Sequence, residues 1–465
     1  MAAQSAPTEL GTKSINSLIR QYAVPGIIAM TASSLYNMVD SIFIGHIPQA
    51  GALAISGLAV TFPLMNISAA LGTLVGVGAA TMISVLLGQK NYGTAGKVLS
   101  NEVTLNIIVG LVFTVATLLF MDPILLFFGA SQNTLPYARD YMVIISIGNV
   151  FTHLYFGLNS VIRSSGNPRL AMNLTLFTVI SNAILDPVFI FVLGMGIRGA
   201  ALATVICQIA ALAYTLYYFF DRKKFLHLDR RRPLQLDWRI AKDSLAIGMG
   251  PFLMNLASCI VVLFINNQLL KYGGDLAIGA YGIANRISFL FAMVVVGFNH
   301  GMQPIAGYNY GARQYSRVRE VYVKTSLWAT AVMTVGFIIS EFLSAPAVSL
   351  FTHDPELTAL AERGIRQMNI VFPIIGFQMV TTNLFQCLGM VQKSIFLSLT
   401  RQLLFLVPCV YILPSLMGSE AGVWYSFPIS DFLASVLTAI FAVDLLRKLG
   451  HLKDGDDPSI LGSKI

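Results

Sequence analysis

Residues 53–88 read LAISGLAVTFPLMNISAALGTLVGVGAATMISVLLG, a run of 36 residues without one Asp, Glu, Lys or Arg. About 20 apolar residues suffice to cross the hydrocarbon core of a bilayer. The run therefore reads as a membrane helix with length to spare for tilt. Similar runs recur along the chain. They predict spans at 20–46, 53–88, 101–121, 137–162, 170–194, 199–220, 243–270, 277–311, 320–347, 364–390, 394–416 and 421–446. The composition agrees: 55% of the 465 residues are hydrophobic and 11% charged, against about 25% charged in soluble proteins. Mean hydropathy is +0.71. A soluble enzyme of this length needs polar surface throughout, so that class is excluded. The fold class expected is an all-α polytopic membrane protein of twelve transmembrane helices.

The net charge of +8 has a topological reading. If loops alternate sides, 23 of the 30 Lys and Arg fall on one side, from Lys13 and Arg20 through Arg222–Lys242 to Lys464. Only Arg139, Arg198, Lys271, Arg363 and Arg366 fall on the other. By the positive-inside rule both termini are expected in the cytoplasm, in a multi-pass protein of the cell (inner) membrane. No nucleic-acid partner is implied. Lys13 and Arg20 precede an apolar stretch too long for a leader peptide and without a cleavage-like end, so the first helix reads as an uncleaved anchor.

The basic stretch Arg222 to Lys242 divides six spans from six. The expected organisation is a cytoplasmic N-terminus (1–19), a first lobe (20–220), a basic linker (221–242), a second lobe (243–446) and a cytoplasmic tail (447–465). The halves share landmarks at a near-constant offset: Gly51 and Gly274, Gly166 and Gly389, Pro187 and Pro408, and Asn-Tyr-Gly at Asn91 and Asn309. An even number of spans per half gives parallel repeats about an axis along the membrane normal, an organisation found in secondary transporters. The chain has no GxxxxGK[ST] loop, so uphill transport needs an ion gradient. Cys207, Cys259, Cys387 and Cys409 lie in apolar segments with no CxxC or Cys/His pairing, which implies neither disulfides nor a cysteine metal site. The six histidines show no catalytic grouping, and no enzyme activity or cofactor is expected.

Carboxyls inside a span are costly and mark function by default. Asp186 lies in Ser181-Asn-Ala-Ile-Leu-Asp-Pro187. Asn182, four residues earlier, shares its helix face. Pro187 brings no N–H and so frees the carbonyl of Ala183. One segment thus offers a carboxylate, an amide oxygen and a free carbonyl, ligands for an alkali cation or a hydrogen-bonded proton site. Burial favours the neutral carboxyl, which suits reversible protonation. Asp40 stands on one face with Tyr36, four turns beyond the potential kink at Pro25. Thr204, among Ala200, Ala201 and Ala203, has neighbours small enough for close helix approach. Glu341 and Asp431 are weaker candidates. Val407 occupies the second-half place of Asp186, so the ion site is expected in the first half alone. The second half contributes Gln303, Gln378, Asn383, Gln386, Asn266 and Asn267. The first three are candidates for lining a substrate cavity. Thirty Phe, 18 Met and 17 Tyr suit an adaptable surface for apolar ligands, and carboxylates within it favour lipophilic cations.

These landmarks, with Gln303-Pro-Ile-Ala-Gly-Tyr-Asn-Tyr-Gly311, resemble the multidrug and toxic compound extrusion (MATE) family, its bacterial MepA-like branch most closely. The resemblance runs from about Ile15 to Leu449. It implies a two-lobed, V-shaped exporter working by alternating access. The partners expected are the lipid bilayer and small molecules, and the chain is expected to be a monomer. It implies exchange of lipophilic, mostly cationic drugs for Na⁺ or H⁺. The family's first-lobe cation site falls on Asp40, Asn182, Asp186 and Thr204, with Tyr36 nearby and Pro25 and Pro187 as bending points. Acidic residues that some members carry in helices 7 and 8 have no counterpart here. A lipid-linked saccharide flippase of the same superfamily is the alternative. An intramembrane enzyme is a third reading, from a different class.

Overall fold

The computed structural model describes residues 7–47, 51–228, 234–351 and 354–457. Arg230, Arg231, Arg232 and Lys464 of the basic stretches lie outside them. All regular structure among the described residues is helical. The long helices are α1 (Ile15–Gly45), α2 (Gly51–Gly88), α3 (Tyr92–Leu119), α4 (Leu135–Ser164), α5 (Pro168–Pro187) and α6 (Ile197–Phe219). A helical run Trp238–Gly311 is broken at Gly274, where φ is 70°. It divides there into α7 (Trp238–Gly274) and α8 (Leu276–Gly311). Then come α9 (Tyr315–Phe342), the bent pair α10 (Pro355–Met368 and Phe372–Cys387), α11 (Val391–Met417) and α12 (Ala421–His451). Ten of these are long and apolar enough to cross a membrane, eleven with the bent pair counted as one span. The 31-residue α1 brings the number of long helical elements to twelve.

Several boundaries differ from expectation, α3 starting at Tyr92 rather than 101 among them, and two have a clear local reason. Helix α7 starts at Trp238, not 243, because Asp237 caps it, accepting from the N–H of Arg239 (3.0 Å) and Ile240 (3.4 Å). Such a cap satisfies N–H groups that a helix start leaves unpaired. The tenth span begins at Pro355, behind the capping Asp354, and bends by 56°. The break precedes Pro373, which cannot donate to the preceding turn. A π-helical stretch, Val188–Val192, follows α5 directly after Pro187, and another, Thr400–Leu406, lies within α11 before Pro408.

The repeat is visible in the backbone. Lys90 (φ 60°) and Arg313 (φ 57°) take the left-handed conformation in equivalent turns, and Gly166 and Gly389 do so at two helix ends. The two Asn-Tyr-Gly triplets, by contrast, are not counterparts. Asn91 lies beyond its turn and caps α3 through Thr94 N–H. Asn309 is buried in the last turns of α8, where its side chain bonds Ile305 O and Arg317 Nε, each at 2.8 Å.

Two compact units emerge. One is built on Ile28–Phe252, the other on Leu253–Lys464 together with Lys13–Ile27. The first half of α1 thus belongs with the second unit, and the first turns of α7 with the first. Glycine makes both attachments close. In the first unit α7 crosses α2: a Cβ at Gly78 would stand 1.9 Å from Ser244 O, and one at Gly248 1.8 Å from Leu74 O. In the second unit α1 crosses α8: a Cβ at Gly26 would stand 2.6 Å from Gly297 O, and one at Gly301 2.6 Å from Ala23 Cα. Small residues four apart permit such backbone contact in membranes, where packing rather than water drives association.

The first unit's core joins Ile44, Leu64, Tyr141, Met142, Ile190 and Ile197. In the second unit Trp424 and Tyr281 anchor the core, their rings 6.2 Å apart. Here too the C-terminal tail docks on the start of α9. Gln314 gives that helix no side-chain cap. Asp454 supplies one instead, accepting from Ser316 N (3.0 Å) and Oγ (2.6 Å), while the Tyr315 hydroxyl donates to Asp456 O (2.8 Å).

Candidate functional site

The five residues expected to form a cation site come together in the first unit. Helix α5 presents Asn182 and Asp186 on one face, and the Asn182 amide donates to Asp186 Oδ1 at 3.0 Å. It also reaches Thr204 Oγ1 of α6 at 3.4 Å. Thr204 donates its own proton to Ala200 O at 3.1 Å. Tyr36 of α1, 3.1 Å from the same hydroxyl, must therefore be the donor in that pair. Asp40, one helical turn after Tyr36, is in hydrogen-bonding contact with Asp186. Asp40, Asn182 and Asp186 are all buried.

Among the described residues three acceptor oxygens in this cluster have no hydrogen-bond partner: Asp40 Oδ1, Asn182 Oδ1 and Asp186 Oδ2. Buried polar atoms are seldom left so. An ionised carboxylate only accepts, so two carboxyls in contact need a proton or a cation between them. The donor set is oxygen throughout, with two carboxyls and neutral oxygens around them. Among the described residues no group of three or more His, Cys, Asp or Glu gathers as a transition-metal site would require. The arrangement fits a proton or an alkali cation. The π-helical stretch directly after Pro187 loosens the backbone beside the site, and such stretches recur at functional positions.

Tyr141 of α4 was not anticipated. It is buried and lies within electrostatic reach of both carboxyls. Nothing in its sequence neighbourhood distinguishes it from an ordinary membrane tyrosine. Of the weaker candidates, Asp431 is paired: Arg401 Nε donates to its Oδ1 at 2.5 Å across α11 and α12. Glu341 sits half-buried at the end of α9. Gln303 and Gln378 are buried in the second unit and Asn383 is half-buried, accepting weakly from Cys387 Sγ at 3.5 Å. Asn267 is exposed. The four cysteines are unpaired.

Twelve long helices in two repeats are an organisation found in membrane transporters. The chain belongs to the MatE family, whose sequence profile matches residues 25–188 and 246–412. It is 29% identical over 453 residues to the multidrug export protein MepA of Staphylococcus haemolyticus, covering 96% of this chain and 97% of that one. MepA of Staphylococcus aureus is also 29% identical, over 92% of this chain and 93% of that one. Among solved structures, the MATE multidrug transporter DinF-BH, captured in complex with a ligand, is 34% identical, with a TM-score of 0.88 over 95% of this chain and 98% of that one. A MATE in complex with MaL6 shares the fold at a TM-score of 0.90 and 23% identity, over 96% of this chain and all of that one.

Proposed function

We propose that the protein is a secondary active multidrug efflux transporter of the inner membrane. It exports lipophilic, mostly cationic compounds in exchange for Na⁺ or H⁺, and the coupling ion binds at Asp40, Asn182, Asp186 and Thr204. The observation that carries this reading is the convergence of three unpartnered buried oxygens on two touching carboxyls. Relatives named as multidrug export proteins, and a multidrug transporter solved with a bound ligand, support the drug as cargo. In this scheme the ion neutralises the Asp40–Asp186 pair from outside, the first helix bends at Pro25 and the first-lobe cavity shrinks, which expels the drug. Alternating access then returns the ion inward. The transporter works as a monomer with both termini in the cytoplasm. A flippase for phosphate-linked saccharides needs free cations in its cavity, whereas Arg401 is neutralised by Asp431.

The test is drug export from proteoliposomes under separately imposed Na⁺ and pH gradients. Wild type exports on one of them. Asp186→Asn and Asp40→Asn abolish export while drug binding persists. If both variants export like wild type, the reading is wrong.

A further inference from the structure

A second buried carboxyl stands apart from this site. Glu102 of α3 is 1% exposed, and among the described residues its only hydrogen-bond partner is Asn106, whose amide donates to Oε1 at 2.6 Å. Glu102 Oε2 and Asn106 Oδ1 are buried with no partner among the described residues. The carboxyl fills a slot opened by Gly157, where α2 also comes close through Gly76. A Cβ at Gly157 of α4 would stand 1.9 Å from Glu102 Oε1, and one at Gly76 of α2 would stand 2.7 Å from Gly157 Cα. Val75 of α2, Leu105 of α3 and Ala241 of α7 join in an apolar cluster.

The surroundings offer no counter-ion. Helix α2 carries no charged residue. The nearest titratable residues along the other packed helices are Lys97 on α3, His153, Tyr155 and Arg163 on α4, and Arg239, Lys242 and Asp243 on α7. None of them bears on Glu102, for which Asn106 is the one interacting side chain. An ionised carboxylate held there by a single amide would be very costly. The neutral acid brings the O–H that the unpartnered Asn106 Oδ1 lacks, so one proton can turn a single hydrogen bond into a two-bonded acid–amide pair.

Position separates this group from the first site. At about 1.5 Å per residue, Glu102 lies about 15 Å into α3 and Asp186 about 27 Å into α5. Both helices run in the same direction from the side that carries the linker. The linker itself is tied to α3 beside Glu102: Asn101 accepts from Asp237 N–H at 2.8 Å and Thr104 Oγ1 donates to Gln235 O at 3.1 Å.

We propose that Glu102 is a second proton-binding site of the first unit, on the linker side of the Asp40–Asp186 pair, which takes up and gives off a proton in each transport cycle. This rests on the ion-coupled reading only in its transport arm. The test uses the full chain in lipid. Infrared spectra of wild type are expected to show a deuterium-sensitive protonated-carboxyl C=O band that Glu102→Gln lacks. The same variant is expected to keep drug binding and lose export driven by a pH gradient. If the band survives in Glu102→Gln, or the variant exports like wild type, the proposal is overturned and the Asp40–Asp186 reading stands. A wild type that exports on a Na⁺ gradient alone defeats both the H⁺ version of the proposed function and this proposal. If Glu102→Gln does not fold, wild type decides. A hydrophobic carbodiimide, which attacks protonated carboxyls, is expected to label Glu102 in a peptide map, with less label as the pH rises. An unlabelled Glu102 overturns the proposal.

Discussion

Alanine at Gly78 and at Gly248 attacks the α2–α7 crossing from both sides. The added Cβ atoms would stand 1.9 Å and 1.8 Å from the carbonyl oxygens of Ser244 and Leu74. A tolerable C···O approach is about 3.3 Å, so either substitution drives the helices apart by about 1.4 Å at the crossing. Backbone carbonyls cannot swing aside as a side chain could. Overpacking of this kind costs about 1–3 kcal/mol. Alanine returns at most about 1 kcal/mol through helix propensity. Each single variant should lose about 1–2 kcal/mol, or about 2–8 °C in Tm for a unit of this size. Once either Cβ has opened the gap, the second meets less resistance, so the double variant should fall short of the sum by about 1 kcal/mol. The assay is thermal unfolding in detergent, followed by a thiol-reactive dye at buried Cys207. Gly96→Ala, with no atom within 4 Å of its Cβ, is the control and should melt at or above wild type. The reasoning fails if Gly78→Ala or Gly248→Ala melts no lower than wild type, or if their effects add fully.

Other perturbations test other parts of the molecule. Thr204→Val removes the acceptor of Tyr36 and Asn182. It should cost about 1–3 kcal/mol in stability and weaken coupling-ion binding, read as a raised ion concentration for half-maximal export. Removing one partner of the Arg401–Asp431 pair should cost about 3–5 kcal/mol, whereas the double variant Arg401→Met with Asp431→Leu should recover most of that in a thermal melt. The tail should respond to pH. Burial works upward on Asp454, but hydrogen bonds from Ser316 and from the Tyr315 backbone hold its carboxyl below the usual range. Its contribution is therefore complete above the unfolded value of about 3.9 and is lost as the pH falls through the lower, folded one. Protease sensitivity of the tail should rise in acid, and Asp454→Asn should show that sensitivity already at neutral pH.

How much of this is legible in the sequence depends on the range of the interaction. Asn182 and Asp186 announce their common face by spacing alone, and Pro187 marks the adjoining backbone. The twelve long runs follow from hydropathy. What escapes is the contact whose partners lie far apart in the chain. Tyr141 reaches the site only because α4 passes beside α1 and α5. Glu102 sits at the predicted edge of a span, where a carboxylate looks solvated. Gly157 gives no hint in sequence that it makes room for it. Asp431 reads as a lone acid until Arg401 is found 30 residues away in the chain, on the neighbouring helix. The Asn-Tyr-Gly triplets mislead in the opposite direction, since identical letters fall on opposite sides of equivalent turns. Conformation, Lys90 with Arg313, reveals the register that the letters obscure.

The attachment of Lys13–Ile27 to α8 has a consequence for biosynthesis. Ala23 and Gly26 emerge from the ribosome early, yet Gly297 and Gly301, against which they pack, follow about 270 residues later. At about 5–20 residues per second, the opening helix must wait on the order of 15–55 s for its backbone partner. Throughout that interval its glycine face is open to lipid and to other helices of the translocation machinery. The order of synthesis thus separates this helix from its backbone partner by most of the chain between them.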